Sequence, residues 1–446
     1  MQYFFILGKN PTLSFAEIVA VFGLKPEQIL YLGEEALIIE LEQEIDAQQI
    51  IRRLGGTIKI GIINYQLRIT NLAYRQAGDE SMSNDLMSKL MPNQKEPAGK
   101  FHFGISYYGK GKFKQEKALA MEIKKALKEK GVSSRWVTSR EKTLSSVVVE
   151  QNKLTSERGV EIVIVGDGAK YWAGKTLAVQ PFKELSARDY GRPGRDDYSG
   201  MLPPKLAQMM INLTTSPLPC RQAGLTPLLR KGEGNHFVRV TSPSPYQGEG
   251  RGEVVLDPFC GSGTIITEAA LMGYRNIIGC DISEKAAKDT KDNINWIAKK
   301  HLISNIQYQI FQCDVKQLSR QIKPNSIDAI VTEPYLGPSR MEWNEKNISQ
   351  VARELENLYG QAILEFYKAL KPDGRIVMVW PIFKIKGGEI KLAADKILGS
   401  NFKIINLLAE FLPNKIIKLS ERSTIVYGRP NQKVWREIVV LTRRDV

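Results

Sequence analysis

From Glu253 onward, short apolar runs alternate with helical patterns, and this alternation narrows the possible folds more than any other feature of the chain. Val254-Val255-Leu256, Ile277-Ile278-Gly279-Cys280 and the runs 306–310, 327–331 and 376–380 are rich in branched residues and bounded by turn residues. Such runs read as strands buried on both faces, as in a parallel sheet. Helical patterns separate several of them. The expected architecture is α/β, a doubly wound and mainly parallel sheet with ligand sites at the strand C-termini. "KIINLLAEFL" and "WREIVVLTRR" read as two closing strands.

The residues at those strand ends define a pocket. "DPFCGSGT", Asp257 to Thr264, follows the first strand and opens a helix. Its glycines let the backbone turn tightly and approach a ligand, and the helix N–H groups can hold an anion. Asp281 ends the second strand, where a carboxylate can accept both hydroxyls of a ribose. Asp314 follows the third, near where an adenine would lie. Taken singly, each acid is as readily a helix cap. Taken together they suit an adenosine ligand and would repel a pyrophosphate. The dinucleotide pattern G-x-G-x-x-G is absent from the turn. S-adenosylmethionine, a sulfonium without phosphate, fits this acid-rich pocket. The candidate cofactor residues at these strand ends are Asp257, Phe259, Gly261, Gly263, Thr264, Asp281, Ile282 and Asp314.

"VTEPYLGP", Val331 to Pro338, follows the fourth strand. It is similar to the Asp/Asn-Pro-Pro-Tyr loop of enzymes that methylate amino groups of bases. An exocyclic amine is a poor nucleophile because its lone pair is delocalised into the ring. A carboxylate and a backbone carbonyl can accept its two N–H bonds and orient that lone pair. The carboxylate can also take the proton as it becomes acidic, and a planar side chain can stack on the base. Glu333, Pro334 and Tyr335 are the candidate catalytic residues. An ordinary Pro-containing turn is the plain alternative.

The first part of the chain reads differently. Tyr3-Phe4-Phe5-Ile6-Leu7 is a predicted strand, and "SFAE" from Ser14 is a capping box opening a helix that stops near Gly23. "ILYL" and "ALIIEL" are two strands, Asp46 caps a helix through Arg53, and "TIKIGII" is a last strand. The order βαββαβ is that of a ferredoxin-like domain. A polar stretch near 73–99 reads as a loop insertion. "FHFGISYYG" then begins a second α/β segment, with a Lys-rich helix from Glu116 to Lys130 and a hairpin around "GDGA". Arg188, Arg192 and Arg195 form a basic loop before a helix led by Pro203-Pro204. Residues 215–252, rich in Pro, Gly and Arg, read as a disordered repeat-like insertion.

Bulk properties bound the partners. The chain of 446 residues carries a formal net charge of +15, which favours a polyanion such as nucleic acid. No apolar run approaches the roughly 20 residues of a membrane span. The N-terminus lacks the basic region of a signal peptide. A cytoplasmic protein with no membrane partner is expected. The four cysteines form no C-x-x-C pair, so neither a metal site nor a disulfide framework is expected.

With these residues assembled, the chain resembles the THUMP-domain tRNA guanosine N2-methyltransferases, in particular the archaeal and eukaryotic enzymes acting on guanosine ten. The likeness covers nearly the whole chain outside the two insertions. It rests on "FILGKNPTLSFAEI", on "GDGAKYWAGKTLAVQPFKELSARDYGRPGRDDYSGMLPPKLAQMMINL", on "DPFCGSGTIITEA" and on "YGRPNQKVWREI". The resemblance implies a ferredoxin-like domain over 1–65, a THUMP domain over 66–182 and a linker with a helix over 183–214. A Rossmann-like class I methyltransferase domain over 253–446 follows the insertion. It also implies that Asp257, Gly261 and Gly263 line the methionine part of S-adenosylmethionine, with Leu202 to Lys205 packing against that end. Asp281 would hold the ribose, and Asp314 with Val315 the adenine. tRNA is the implied partner, a small activator subunit occurs in some relatives, and a monomer is the default. The family pattern is T-D-P-P-Y-G, whereas this chain has Thr332-Glu333-Pro334-Tyr335-Leu336-Gly337. A tRNA-binding protein with a retained cofactor pocket and an inactive loop, or a DNA amino-methyltransferase, are the competing expectations.

Overall fold

The computed structural model describes residues 1–68, 99–109, 116–167, 170–195, 201–214, 225–226, 251–303, 306–338 and 340–444. Nearly all of the two predicted insertions therefore lies outside the described residues. Two large sheets organise the rest. The first begins with β1 (Gln2–Leu7), α1 (Pro11–Phe22), β2 (Ile29–Leu32), β3 (Ala36–Glu40), α2 (Ala47–Arg53) and β5 (Thr57–Arg68). A short β4 (Glu44–Ile45) pairs with β10 (Leu225–Thr226). The strands stand in the order β2-β3-β1-β5, and every neighbouring pair is antiparallel.

Helix α1 starts earlier than the predicted capping box. Asn10 is its N-cap, its side chain accepting from the Leu13 N–H at 3.0 Å, and Pro11 occupies the first turn. An Asn cap followed by Pro with its preset φ outcompetes Ser14 as the start. Ser14 instead donates its hydroxyl to the Asn10 carbonyl at 2.9 Å. Gly23, at φ +61°, ends the helix as expected.

A second group follows: β6 (Phe101–Gly109), α3 (Glu116–Glu129), β7 (Ser134–Val137), α4 (Ser146–Gln151), β8 (Gly159–Gly166) and β9 (Lys170–Val179). β5 pairs with β9, so both groups form one eight-stranded sheet, β2-β3-β1-β5-β9-β8-β6-β7. A buried ion pair pins the junction. Lys59 of β5 pairs with Glu161 of β8, and both side chains are at most 1% exposed. Lys59 also donates to the Leu144 carbonyl at 2.6 Å. Ser106 and Thr176 donate to the Glu161 carboxylate at 2.6 and 2.7 Å.

Helices α5 (Phe182–Tyr190) and α6 (Pro204–Thr214) lead to the second sheet. It contains β11 (Arg251–Asp257), β12 (Tyr274–Asp281), β13 (Gln307–Gln312), β14 (Ile327–Thr332) and β15 (Leu370–Ile385). β16 (Gly388–Lys391), β17 (Phe402–Ile404), β18 (Ile425–Tyr427) and β19 (Val434–Arg443) complete it. The main order is β13-β12-β11-β14-β15-β19-β17, and the five strands from β13 to β15 are parallel, as expected. Helices α7 (Thr264–Leu271), α8 (Glu284–Lys300), α9 (Glu345–Ala369) and α10 (Ala394–Leu398) connect them. Of the two predicted closing strands, "WREIVVLTRR" lies in β19, but "KIINLLAEFL" is a strand only through Ile404. The Asn406 side chain accepts from the Leu408 N–H at 2.9 Å and turns the chain aside.

The two sheets share one hydrophobic core. Phe15 and Ile18 of α1, Met210 and Leu213 of α6 and Ile266 of α7 belong to a single buried cluster. Asn10 and Thr12 also reach the C-terminal region, donating to the carbonyls of Val426 and Ile416 at 2.8 and 3.3 Å. Among the described residues, no helix is long and apolar enough to cross a membrane.

Candidate active site

The buried residues Val255 and Leu256 carry β11 into the sheet and leave Asp257 at its end, only 1% exposed. Asp257 Oδ1 accepts the Thr332 hydroxyl at 2.8 Å and the Phe259 N–H at 3.2 Å. Burial drives its carboxyl up to about 7. The bonds from Thr332 and Phe259 oppose this rise, and the charges of Asp281 and Glu333 add to it. The turn after it needs glycine twice. Gly261 lies at φ +52° and Gly263 at φ +80°, where L side chains are strained. A Cβ on Gly263 would sit 2.8 Å from Thr290, whereas one on Gly261 would meet nothing within 4 Å. Gly261 therefore faces open space.

Asp281 fastens this turn to β12. Its Oδ2 accepts from the Gly261 N–H at 3.0 Å and its Oδ1 from the Ser283 N–H at 2.9 Å. Next to it, Ile282 is 68% exposed, an apolar surface beside the Asp281 carboxylate. Asp314 accepts from the Lys316 N–H at 3.0 Å. A cavity of about 340 Å³ opens between these strand ends, lined by Ile282, Gln312, Cys313, Asp314 and residues of the following turn. The Val315 side chain packs in the core with Leu318 and does not line this cavity. Phe259 packs partly buried against the same core, and Thr264 is buried at the start of α7. Pro204 is buried at the start of α6. Cys260, Cys280 and Cys313 are free and buried, and burial pushes their thiols up.

The loop after β14 lies against this turn, because Thr332, its last strand residue, is the one that bonds Asp257. Glu333 points toward β19. Nε and Nη2 of Arg436 donate to its two oxygens at 2.5 and 3.3 Å, and the two side chains are only 11% and 15% exposed. Pro334 is buried. Tyr335 is 55% exposed, while its carbonyl accepts the hydroxyl of the fully buried Tyr359 at 2.7 Å. An exposed ring is thus held on a fixed backbone. Gly337, at φ +101°, turns the loop over Val351 and Phe383.

Two features escaped the sequence. Arg436 lies 103 residues from Glu333. Only the neighbour relation β14-β15-β19 brings them together, and "WREI" by itself carries no sign of it. The predicted basic loop is, in large part, not a surface. Arg188 and Arg192 are each 6% exposed, and Arg188 bonds Glu268 of α7 at 2.6 and 3.2 Å. Among the described residues, no group of His, Cys, Asp and Glu is arranged to hold a metal ion.

A family model described as DNA methylase matches residues 67–292, and one described as methyltransferase domain matches residues 249–406. The tRNA (guanine(10)-N2)-dimethyltransferase of Methanothermobacter thermautotrophicus is 27% identical over 247 residues, 54% of this chain and 57% of that one. A probable tRNA (guanine(10)-N2)-dimethyltransferase of Methanothermococcus thermolithotrophicus is 30% identical over 128 residues, 28% of this chain and 69% of that one. The chain spans between about half and three fifths of the length of the first three curated relatives it matches. The crystal structure of TrmN from Thermus thermophilus superposes over the whole of both chains, with a TM-score of 0.51 and 15% identity, which is a likeness of fold. The matched methyltransferase domain contains the glycine turn, Asp281 and Asp314, and the methyl donor of such a domain is S-adenosylmethionine. The open space at Gly261, the carboxylate of Asp281 and the exposed, apolar Ile282 fit that cofactor. Given a family model that covers half its length, this chain belongs to the DNA methylase family of methyltransferases, and it is kin to the tRNA (guanine(10)-N2)-dimethyltransferases.

Proposed function

We propose that this protein transfers a methyl group from S-adenosylmethionine to the exocyclic N2 amino group of a guanosine in tRNA, of the guanosine-ten type. One observation carries the reading: Thr332, immediately before Glu333, is hydrogen-bonded to Asp257 of the glycine turn, so amine-orienting loop and cofactor turn are one unit. The names of the relatives supply the substrate. Bound S-adenosylmethionine supplies an electrophilic methyl group. Asp257, Phe259, Gly261, Gly263, Thr264 and Pro204 would surround its methionine end. Asp281 would take the ribose hydroxyls, with Ile282 and Asp314 around the adenine; Val315, whose side chain packs in the core, would meet it only through its backbone.

The chain's own residues then prepare the amine. Glu333 accepts one N–H through an oxygen lone pair that Arg436 leaves available, and the carbonyl of Pro334 accepts the other. This holds the nitrogen lone pair away from the ring. Tyr335 presents an exposed ring on which the base stacks. Arg436 is a positioning residue: its fork fixes the Glu333 carboxylate in one orientation. The antiparallel order β2-β3-β1-β5 supports the ferredoxin-like reading of the N-terminal unit, and β6 to β9 would form the THUMP unit that docks tRNA. The working form is a cytoplasmic monomer.

The match to a DNA methylase model favours a second reading, methylation of an amino group in DNA. Purified protein with labelled cofactor, offered unmodified tRNA or duplex DNA, separates the two. Label is expected in tRNA, as N2-methylated guanosine by mass mapping. Label only in DNA establishes the second reading, and no transfer to either sinks both.

A further inference from the structure

A wall of basic and aromatic residues rises beside the loop of Glu333, and the chemistry described so far leaves it unused. Thr332, at the end of β14, pairs with Met378, and β15 runs on to Ile385, roughly 20 Å farther at the usual rise per residue. There the chain turns back through Lys386-Gly387 into β16. β19 accompanies this extension. Arg436, which holds Glu333, pairs with Pro381, and Val434 pairs with Phe383. The connection from β18 to β19 therefore stands beside the β15–β16 turn. The Lys384 N–H donates to the Lys433 carbonyl at 2.8 Å and ties the two together. That connection holds the "GRPNQK" of "YGRPNQKVWREI", a motif in which only Arg436 has a role so far.

Two tryptophans hold the lysines of this wall in place. The Lys384 ammonium lies 4.0 Å from the centre of the Trp435 ring, and that of Lys433 lies 5.2 Å from the centre of Trp343. The rings are themselves fixed. Trp435 covers the backbone of Gly428 so closely that a Cβ there would lie 2.3 Å from it. Trp343 Nε1 donates to the Lys384 carbonyl at 2.8 Å, and its ring stands 6.1 Å from that of Phe383. Phe383 in turn lies against Gly337, so the wall is continuous with the loop that carries Tyr335. Lys384 is paired with Glu389, which also takes Lys391. Lys386, Arg429 and Lys433 are exposed. Among the described residues, none of these three lies within ion-pair distance of a carboxylate. Surface lysines are ordinarily solvated and mobile. The Lys433 ammonium, held over a ring, has already lost part of that freedom, so a phosphate that meets it pays less for ordering.

We propose that Lys386, Arg429 and Lys433 grip the phosphates of the RNA strand that immediately flanks the target nucleoside. This gives the catalytic domain its own hold on the substrate, apart from the N-terminal unit. Cations without acidic neighbours, one of them held over an aromatic ring, complement a polyanionic strand. The inference rests on tRNA being the substrate. Its test is binding and methylation of an unmodified tRNA transcript by wild type and K386A/R429A/K433A over a range of salt concentrations. The variant should bind roughly 10-fold more weakly at low salt, and its logarithmic salt slope should be shallower by about 2 to 3. KM for tRNA should rise, with kcat and the affinity for S-adenosylhomocysteine little changed. A transcript with neutral methylphosphonates beside the methylated guanosine locates the contact: it should weaken wild type and leave the variant nearly unaffected. An unchanged salt slope, or methylphosphonates that weaken both proteins equally, overturns the inference, while methylation by wild type keeps the proposed function standing. If the triple variant also loses S-adenosylhomocysteine affinity, K433Q decides. Its slope should fall by about 1, and no change overturns the inference. Wild type that neither binds nor methylates tRNA sinks the proposed function, and the inference with it.

Discussion

Glu333 carries one methylene more than the aspartate of the related loops, and that length brings its carboxylate to Arg436. If Arg436 acts only through Glu333, losing either should cost the same. E333A and R436M should each lower kcat by roughly 100-fold or more, with KM for tRNA little changed, and the double variant should be no worse than either single. Multiplying losses would show that Arg436 has a separate role. Asp257 gives a pH signature. Its carboxyl lies near 7 in the fold against an ordinary 3.8, so the folded state holds the proton more tightly than the unfolded chain. The stability this confers is complete below about 3.8 and is lost as pH rises through about 7. Relative to D257N, wild type should lose at most roughly 4 kcal/mol between pH ~4 and ~8, read by urea unfolding. The comparison with D257N separates Asp257 from Glu17, which burial also raises to about 7. A constant difference would mean that Asp257 does not titrate in this window. The two glycines should also differ. G261A should lose a little stability to its left-handed φ and lose cofactor affinity, because its methyl group enters open space. G263A should lose more stability, because Thr290 also stands in the way. The address of these residues at strand ends was legible in the sequence, since apolar runs followed by acids fix it. The Arg436 contact was not, because partners in a sheet are chosen by strand order and not by local pattern.

At the scale of elements, capping and burial decide where sequence patterns succeed. Asp46, Gly23 and the glycine turn acted locally, and the sequence located them. Ser14 lost to Asn10 because Pro11 favours the earlier start, and "KIINLLAEFL" bent away because Asn406 turns it. The three arginines of "ARDYGRPGRDD" looked like a surface because charge usually is. Two of them instead tie α5 and the loop after it to α7. Arg188 and Glu268 are 6% and 1% exposed in their side chains. E268A would remove the carboxylate that pairs the buried Arg188, and urea unfolding should show a loss of about 3–5 kcal/mol. A loss below about 1 kcal/mol, the range of surface pairs, would show that solvent reaches the site.

At the scale of the molecule, the tRNA proposal draws on the formal charge of +15 for docking. If phosphate contacts hold tRNA, the logarithm of its affinity should fall steeply and linearly with the logarithm of salt concentration. A flat dependence would remove the basic surface from the account. The pairing of β5 with β9, which joins the two N-terminal groups in one sheet, was the least legible feature, because its partners lie more than a hundred residues apart. The core shared by α1, α6 and α7 has a consequence for how a target is chosen. If the N-terminal units grip tRNA as proposed, the buried contacts that tie them to the second sheet among the described residues would make the protein a caliper, selecting the nucleotide that lies at a set reach. Adding one base pair between the docked end of the RNA and the target should move the modification to a different nucleotide or abolish it. Methylation that stays on the original guanosine would mean that the base is found by its neighbours and not by its distance.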